Sequence, residues 1–152
     1  MNRKTKLLTL LLSAVIGVNA LHAQQIEKPS IAGNSSFAVI ADTKTYEMCR
    51  EQISLYKQTI ESEGLPVFVV ADDWQTPEQV RAQLKQLYDQ HALEGCVFIG
   101  DIPIVLTQYA QHLTSAFKMD QRAHPLRDCS VPSDRYYDDF DLIFDRIEGE
   151  PN

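Results

Sequence analysis

Cysteine is scarce: three in 152 residues, none in a C-x₂-C pair. This excludes a disulfide scaffold, and an odd number leaves at least one thiol without an internal partner. The six glycines never form the run that, with a Lys-Ser/Thr pair, cradles phosphate. The absence of H-E-x-x-H and C-x₂-C removes the usual zinc spacings. Positive charge is also short, with 14 Lys and Arg against 21 Asp and Glu and a formal net charge of -7. With no basic cluster to neutralise phosphates, the composition speaks against nucleic-acid binding. Cationic groups, basic partners or divalent cations suit such a chain better.

Long apolar runs are missing except at the start. Arg3, Lys4 and Lys6 precede an apolar stretch from Leu7 to Val18, and Leu21 and Ala23 stand at the positions before a cut after Ala23. Residues 1–23 therefore read as an export signal, which predicts a protein of the periplasm, cell surface or extracellular space. A run of about twelve residues falls short of the ~20 that a spanning helix needs, so no stable membrane span is expected. Cutting there removes three positive charges and no negative one, taking the net charge from -7 to -10.

Residues 24–36 are polar, with Pro29 and Gly33, and read as a linker to a domain over 37–152. "FAVIA" at 37–41 is the first expected strand. Tyr46, Cys49, Ile53, Tyr56 and Ile60 then recur at spacings of three and four, the stripe of a helix laid on a sheet, which Gly64 closes. Val67 to Ala71 is continuously apolar, as in a strand covered on both faces. Thr76, Pro77 and Gln79 form a helix start with a capping box, and Val80, Leu84, Leu87 and Tyr88 give that helix its apolar stripe. Cys96 to Ile99 is the third strand. Alternating strands and helices within about 65 residues predict an α/β fold, a three-layer sandwich with a mainly parallel sheet. Residues 108–120 suit a short helix and 123–132 a loop.

Each expected strand runs into acid: Asp42, the pair Asp72 and Asp73, and Asp101. In a parallel sheet these emerge at the carboxyl edge, where open α/β folds place ligands. Asp42 and Asp73 also precede helices and suit turns or caps. Asp101 differs, because Gly100 permits a tight backbone course and Pro103 stops an immediate helix. Further on, "SDRYYDDFDLIFDRIE" mixes acids and aromatics in two possible periodicities. One is a helix aligning Asp134, Asp138, Asp141 and Asp145; the other is a loop feeding a strand "DLIFD". The helix would stack like charges, at a few tenths of a kcal/mol per pair. A cation would offset that, which makes Asp134, Asp138 and Asp139 candidate ligands for calcium, although the spacing fails the helix-loop-helix calcium pattern. A solvated acidic face is the other reading. Among thiols and bases, Cys49 and Cys96 read as buried small hydrophobes, and only Cys129 with His124 forms a conceivable pair.

"SFAVIAD" (36–42), "LYKQTIESEGLPVFVV" (55–70), "GCVFIGDIPI" (95–104) and "VPSDRYYDDFD" (131–141) together resemble the front part of the catalytic domain of gingipain-like cysteine peptidases, in the clan of caspase-like folds. The resemblance implies a first α/β subdomain, with the catalytic cysteine and the histidine of a Gly-His-Gly-like loop both belonging to a second. Neither motif occurs here. It further implies that Gly100, Asp101 and Tyr137 border that second subdomain, alongside Asp134 of the Ser-Asp-x-x-Tyr segment. Three functions follow as expectations. The first is the front fragment of an exported cysteine endopeptidase acting on peptide or protein substrates, inactive alone, with no catalytic or cofactor residue of its own. The second is an exported non-catalytic module using an acidic edge for calcium or a basic partner. The third, a receiver-like phosphoacceptor at Asp101, fits poorly with export away from phosphodonors.

Overall fold

The computed structural model describes residues 24–107 and 130–147. The leader, the helix expected over 108–120, and Cys129, His112 and His124 lie outside the described residues.

β1 (Gln25–Glu27), β2 (Ser36–Asp42), β3 (Val67–Asp72) and β4 (Leu93–Ile99) form one mixed sheet in the order β1-β3-β2-β4. β3 and β4 run parallel to β2 on either side, whereas β1 is antiparallel on the outer edge of β3. A small second sheet pairs β5 (Leu106–Thr107) with β6 (Val131–Pro132), the latter inside the stretch expected as loop.

Helices cover both faces. α1 (Thr43–Met48) and α2 (Arg50–Ser62) follow β2, and Val39, Ala41, Val67, Val69 and Ala71 face them with Tyr46 and Ile53. α3 (Pro77–His91) lies on the other face, where Val80, Leu84 and Leu87 meet Ala38, Ile40, Phe68 and Val70. Alternate residues of β2 and β3 thus feed two cores, which explains their unbroken apolar sequence. The α3 capping box forms as expected, with Thr76 accepting from Gln79 N–H and the Gln79 side chain reaching back.

Two expectations change. Residues 25–27 are not linker but a strand of the sheet, because buried polar groups on α2 hold the segment down. Lys57 Nζ donates to Lys28 O at 2.5 Å, and Glu61 Oε1 accepts from Ser30 N at 3.0 Å and Val67 N at 3.3 Å. Tyr46 hydroxyl donates to the Glu27 carboxylate, and Arg50 Nε donates to the Tyr46 oxygen. The single helix expected from Tyr46 to Ile60 is also broken at Cys49, whose φ of -116° and ψ of 21° are not helical. Beyond that break, Lys57 and Glu61 take inward positions to receive the N-terminal arm, and Tyr56 is exposed.

Candidate functional site

With β3 on one side of β2 and β4 on the other, the strand order reverses between the carboxyl ends of β2 and β4. Open α/β folds bind ligands at such a reversal. Asp42 stands at this reversal, with Asp72 of β3 in register on its other side, and Ala41 pairs with Ile99, so Asp42 adjoins the Gly100-Asp101 turn.

Asp42 caps α1 and clamps the turn at once: Oδ1 accepts from Thr45 N at 2.9 Å and Oδ2 from Asp101 N at 2.8 Å. Burial pushes its carboxyl up, but the hydrogen bonds from Thr45, Asp101 and Lys44 outweigh burial and hold it below the ordinary value. Gly100 has φ +91°, and a Cβ there would overlap Asp42 Oδ2 and the Thr45 side chain. Glycine is required on both grounds. Asp101 is exposed beyond the turn, while the Asp72 carboxylate accepts from Asp73 N at 2.8 Å. Trp74 Nε1 donates to Ala41 O at 2.8 Å and seals the edge beside them.

The acid-rich segment packs on the end of β4. Tyr137 is buried, its hydroxyl donates to Pro103 O at 2.5 Å, and its ring meets Phe98 edge-on at 5.0 Å. Desolvation above all raises this phenol to about 12, so it remains a donor across the neutral range. Ser133 N donates to Val105 O at 3.0 Å. The Gly-Asp turn and the Tyr-containing segment, distant in sequence, are therefore joined at one sheet edge.

Neither periodicity expected for residues 134–147 holds over its length. Only one helical turn forms, α4 (Arg135–Asp138), and the chain then continues irregularly. The reason is Arg81. Its guanidinium donates to three carbonyls that a helix would have used internally: Tyr136 O at 2.7 Å, Asp139 O at 2.9 Å and Leu142 O at 3.2 Å. The same cation lies over the rings of Tyr136, Phe140 and Phe144 at 5.1, 5.5 and 5.8 Å. The aromatics gather on Arg81 and α3, and most aspartates turn outward. The sequence reading passed over this residue. Its signal was the position of Arg81 and Lys85 four apart beside the apolar stripe of α3, ready to face a segment of alternating acid and aromatic.

The expected calcium ligands are not brought together. Asp134 is exposed before α4, Asp138 pairs with Arg135 at 3.5 Å, and Asp139 Oδ1 accepts from the backbone of Asp141 and Leu142 at 3.2 Å each. Among the described residues no group of three or more His, Cys, Asp or Glu could hold a metal ion. Cys49 and Cys96 are free thiols on opposite faces of the sheet. Desolvation, with Asp138 and Asp134 nearby, raises Cys96 to about 11. His91, the one histidine among the described residues, stacks on Phe68 with ring centroids 4.6 Å apart, at the amino end of β4. No helix among the described residues is long and apolar enough to cross a membrane. Comparisons with protein-family models, curated proteins and solved structures found no match to this chain.

Proposed function

We propose that this chain is the scaffold-forming first α/β part of an exported gingipain-like cysteine endopeptidase, supplying one wall of a substrate groove but not the nucleophile or its base. One observation carries the reading. Two of the four sequence stretches behind the resemblance, 95–104 and 131–141, meet at the carboxyl end of β4 through the Tyr137 hydroxyl and Pro103 O. They do so at the strand-order reversal where this class of sheet places its chemistry. Cys96 agrees with a supporting role, because attack needs a thiolate within reach of a base, whereas this thiol is raised to about 11 and His91, the last residue of α3, packs on Phe68 before the start of β4.

Thiol labelling tests this. At pH 7 the native chain should react with iodoacetamide at Cys49 and Cys96 more slowly than free cysteine does, and at the free-cysteine rate once unfolded in guanidinium. A native thiol reacting faster than free cysteine would mark an activated nucleophile and end the scaffold reading.

A further inference from the structure

We propose that Gln24 is the first residue of the exported chain and is converted there to pyroglutamate, a modification that caps the N-terminal arm. The inference rests on the export reading and adds to it from the fold. β1 sets the latest point at which a leader can be cut: Gln25, Ile26 and Glu27 pair with Ala71, Val70 and Val69. Lys57 and Glu61, each 7% exposed, find hydrogen-bond partners in the arm at Lys28 O and Ser30 N. A cut within or just after the strand would remove β1 from the sheet, and with it the Glu27 carboxylate that pairs with Lys57 and accepts from Tyr46. A cut past Ser30 would also strip Lys57 of its carbonyl acceptor and Glu61 of a donor, leaving a buried ammonium and a buried carboxylate underpaired. The cut must therefore precede Gln25. Leu21 and Ala23 place it after Ala23.

Gln24 suits the reaction. It is exposed, it lies outside the strand ladder, and its side-chain amide makes one hydrogen bond, Nε2 to Gln83 Oε1 at 3.2 Å, on the surface. The new α-amine attacks Cδ of the same residue, the N–Cδ bond forms, the Cδ–Nε2 bond breaks, and ammonia leaves. Nothing is oxidised or reduced and no co-reactant enters. A neutral lactam replaces a charged amine, so the chain loses one positive charge and presents no free amine to an aminopeptidase. Trimming from that end would first consume β1 and uncover the edge of β3.

The full 152-residue chain, leader included, is expressed in a host that exports it, and the exported protein is held at neutral pH until its intact mass stops changing. The expected mass is that of residues 24–152 less one ammonia, with resistance to aminopeptidase. A Gln24→Ala variant should show the mass of its own residues 24–152 with no deficit and should be trimmed. A chain that starts at Gln24 and keeps its ammonia overturns this inference and leaves the export reading standing. A chain that starts elsewhere overturns this inference and leaves the export reading standing; a chain that keeps its leader overturns both.

Discussion

Gly100 and Asp42 are mutually dependent at the carboxyl edge. The positive φ of Gly100 brings its backbone so close to Asp42 and Thr45 that no Cβ fits, and this closeness lets the Asp42 carboxylate accept from Asp101 N–H. Gly64 has a similar φ of +92° with nothing within 4 Å of its absent Cβ. Gly64→Ala should therefore cost about 1 kcal/mol from backbone conformation alone. Gly100→Ala should exceed it by about 2 kcal/mol or more, because overlap adds to strain; urea denaturation of both variants makes the comparison. Asp42 also gives a pH signature. Its folded value lies below the unfolded one of about 3.9, so the ionised carboxylate's contribution is whole above that pH and is lost as the pH falls through the folded value. Asp42→Asn presents an amide donor to one of two N–H groups, a cost of about 1–2 kcal/mol. Its melting temperature should fall below the parent's at pH 7, and the gap should narrow as the pH falls below about 3.9 toward the folded value. A gap constant from pH 7 to pH 3 would contradict the clamp.

At the scale of elements, one side chain on α3 decides the shape of residues 135–144. Arg81→Lys keeps the charge but lacks the planar fork that reaches three carbonyls, so it should not rescue the segment. Both Arg81→Lys and Arg81→Ala should raise amide exchange across 135–145 while leaving β2 and α2 protected, with a loss of about 2–3 kcal/mol for the Ala variant. Equal protection in parent and variants would remove Arg81 from its organising role. The same contrast explains what could be read from the sequence. β3 and α3 were legible because their residues act locally: an unbroken apolar run, a Thr-Pro-Glu-Gln start, and a stripe of Val80, Leu84 and Leu87. The acid-aromatic segment was not, because its conformation depends on hydrogen bonds to Arg81, 55 to 61 residues away in the chain. The arm at 25–27 was equally hidden. Three residues carry no periodicity, and the groups that hold it, Lys57 and Glu61, look like solvent-facing charges on a helix. Cys49 failed differently, since spacing alone does not show where one helix ends and the next begins.

Over the whole molecule, two apolar cores lie on either side of a sheet whose carboxyl edge is built by Asp42, Gly100, Asp101 and Tyr137. Of the sheet's two outer strands, β1 is short and pinned by polar contacts. β4 has no strand partner on its outer side among the described residues, and Gly95 to Ile99 remain only partly buried. That open side fits the proposed role, in which a further subdomain completes the groove and brings the catalytic pair. The chain by itself would then hold its fold and perform no chemistry. The most direct measurement is turnover by purified residues 24–152 under reducing conditions, with Arg-, Lys- and apolar-directed fluorogenic peptides, beside a Cys129→Ala variant. The account predicts no hydrolysis above buffer by either protein; hydrolysis by the parent that disappears in Cys129→Ala would contradict it and make Cys129 the nucleophile, with His124 the first base to test.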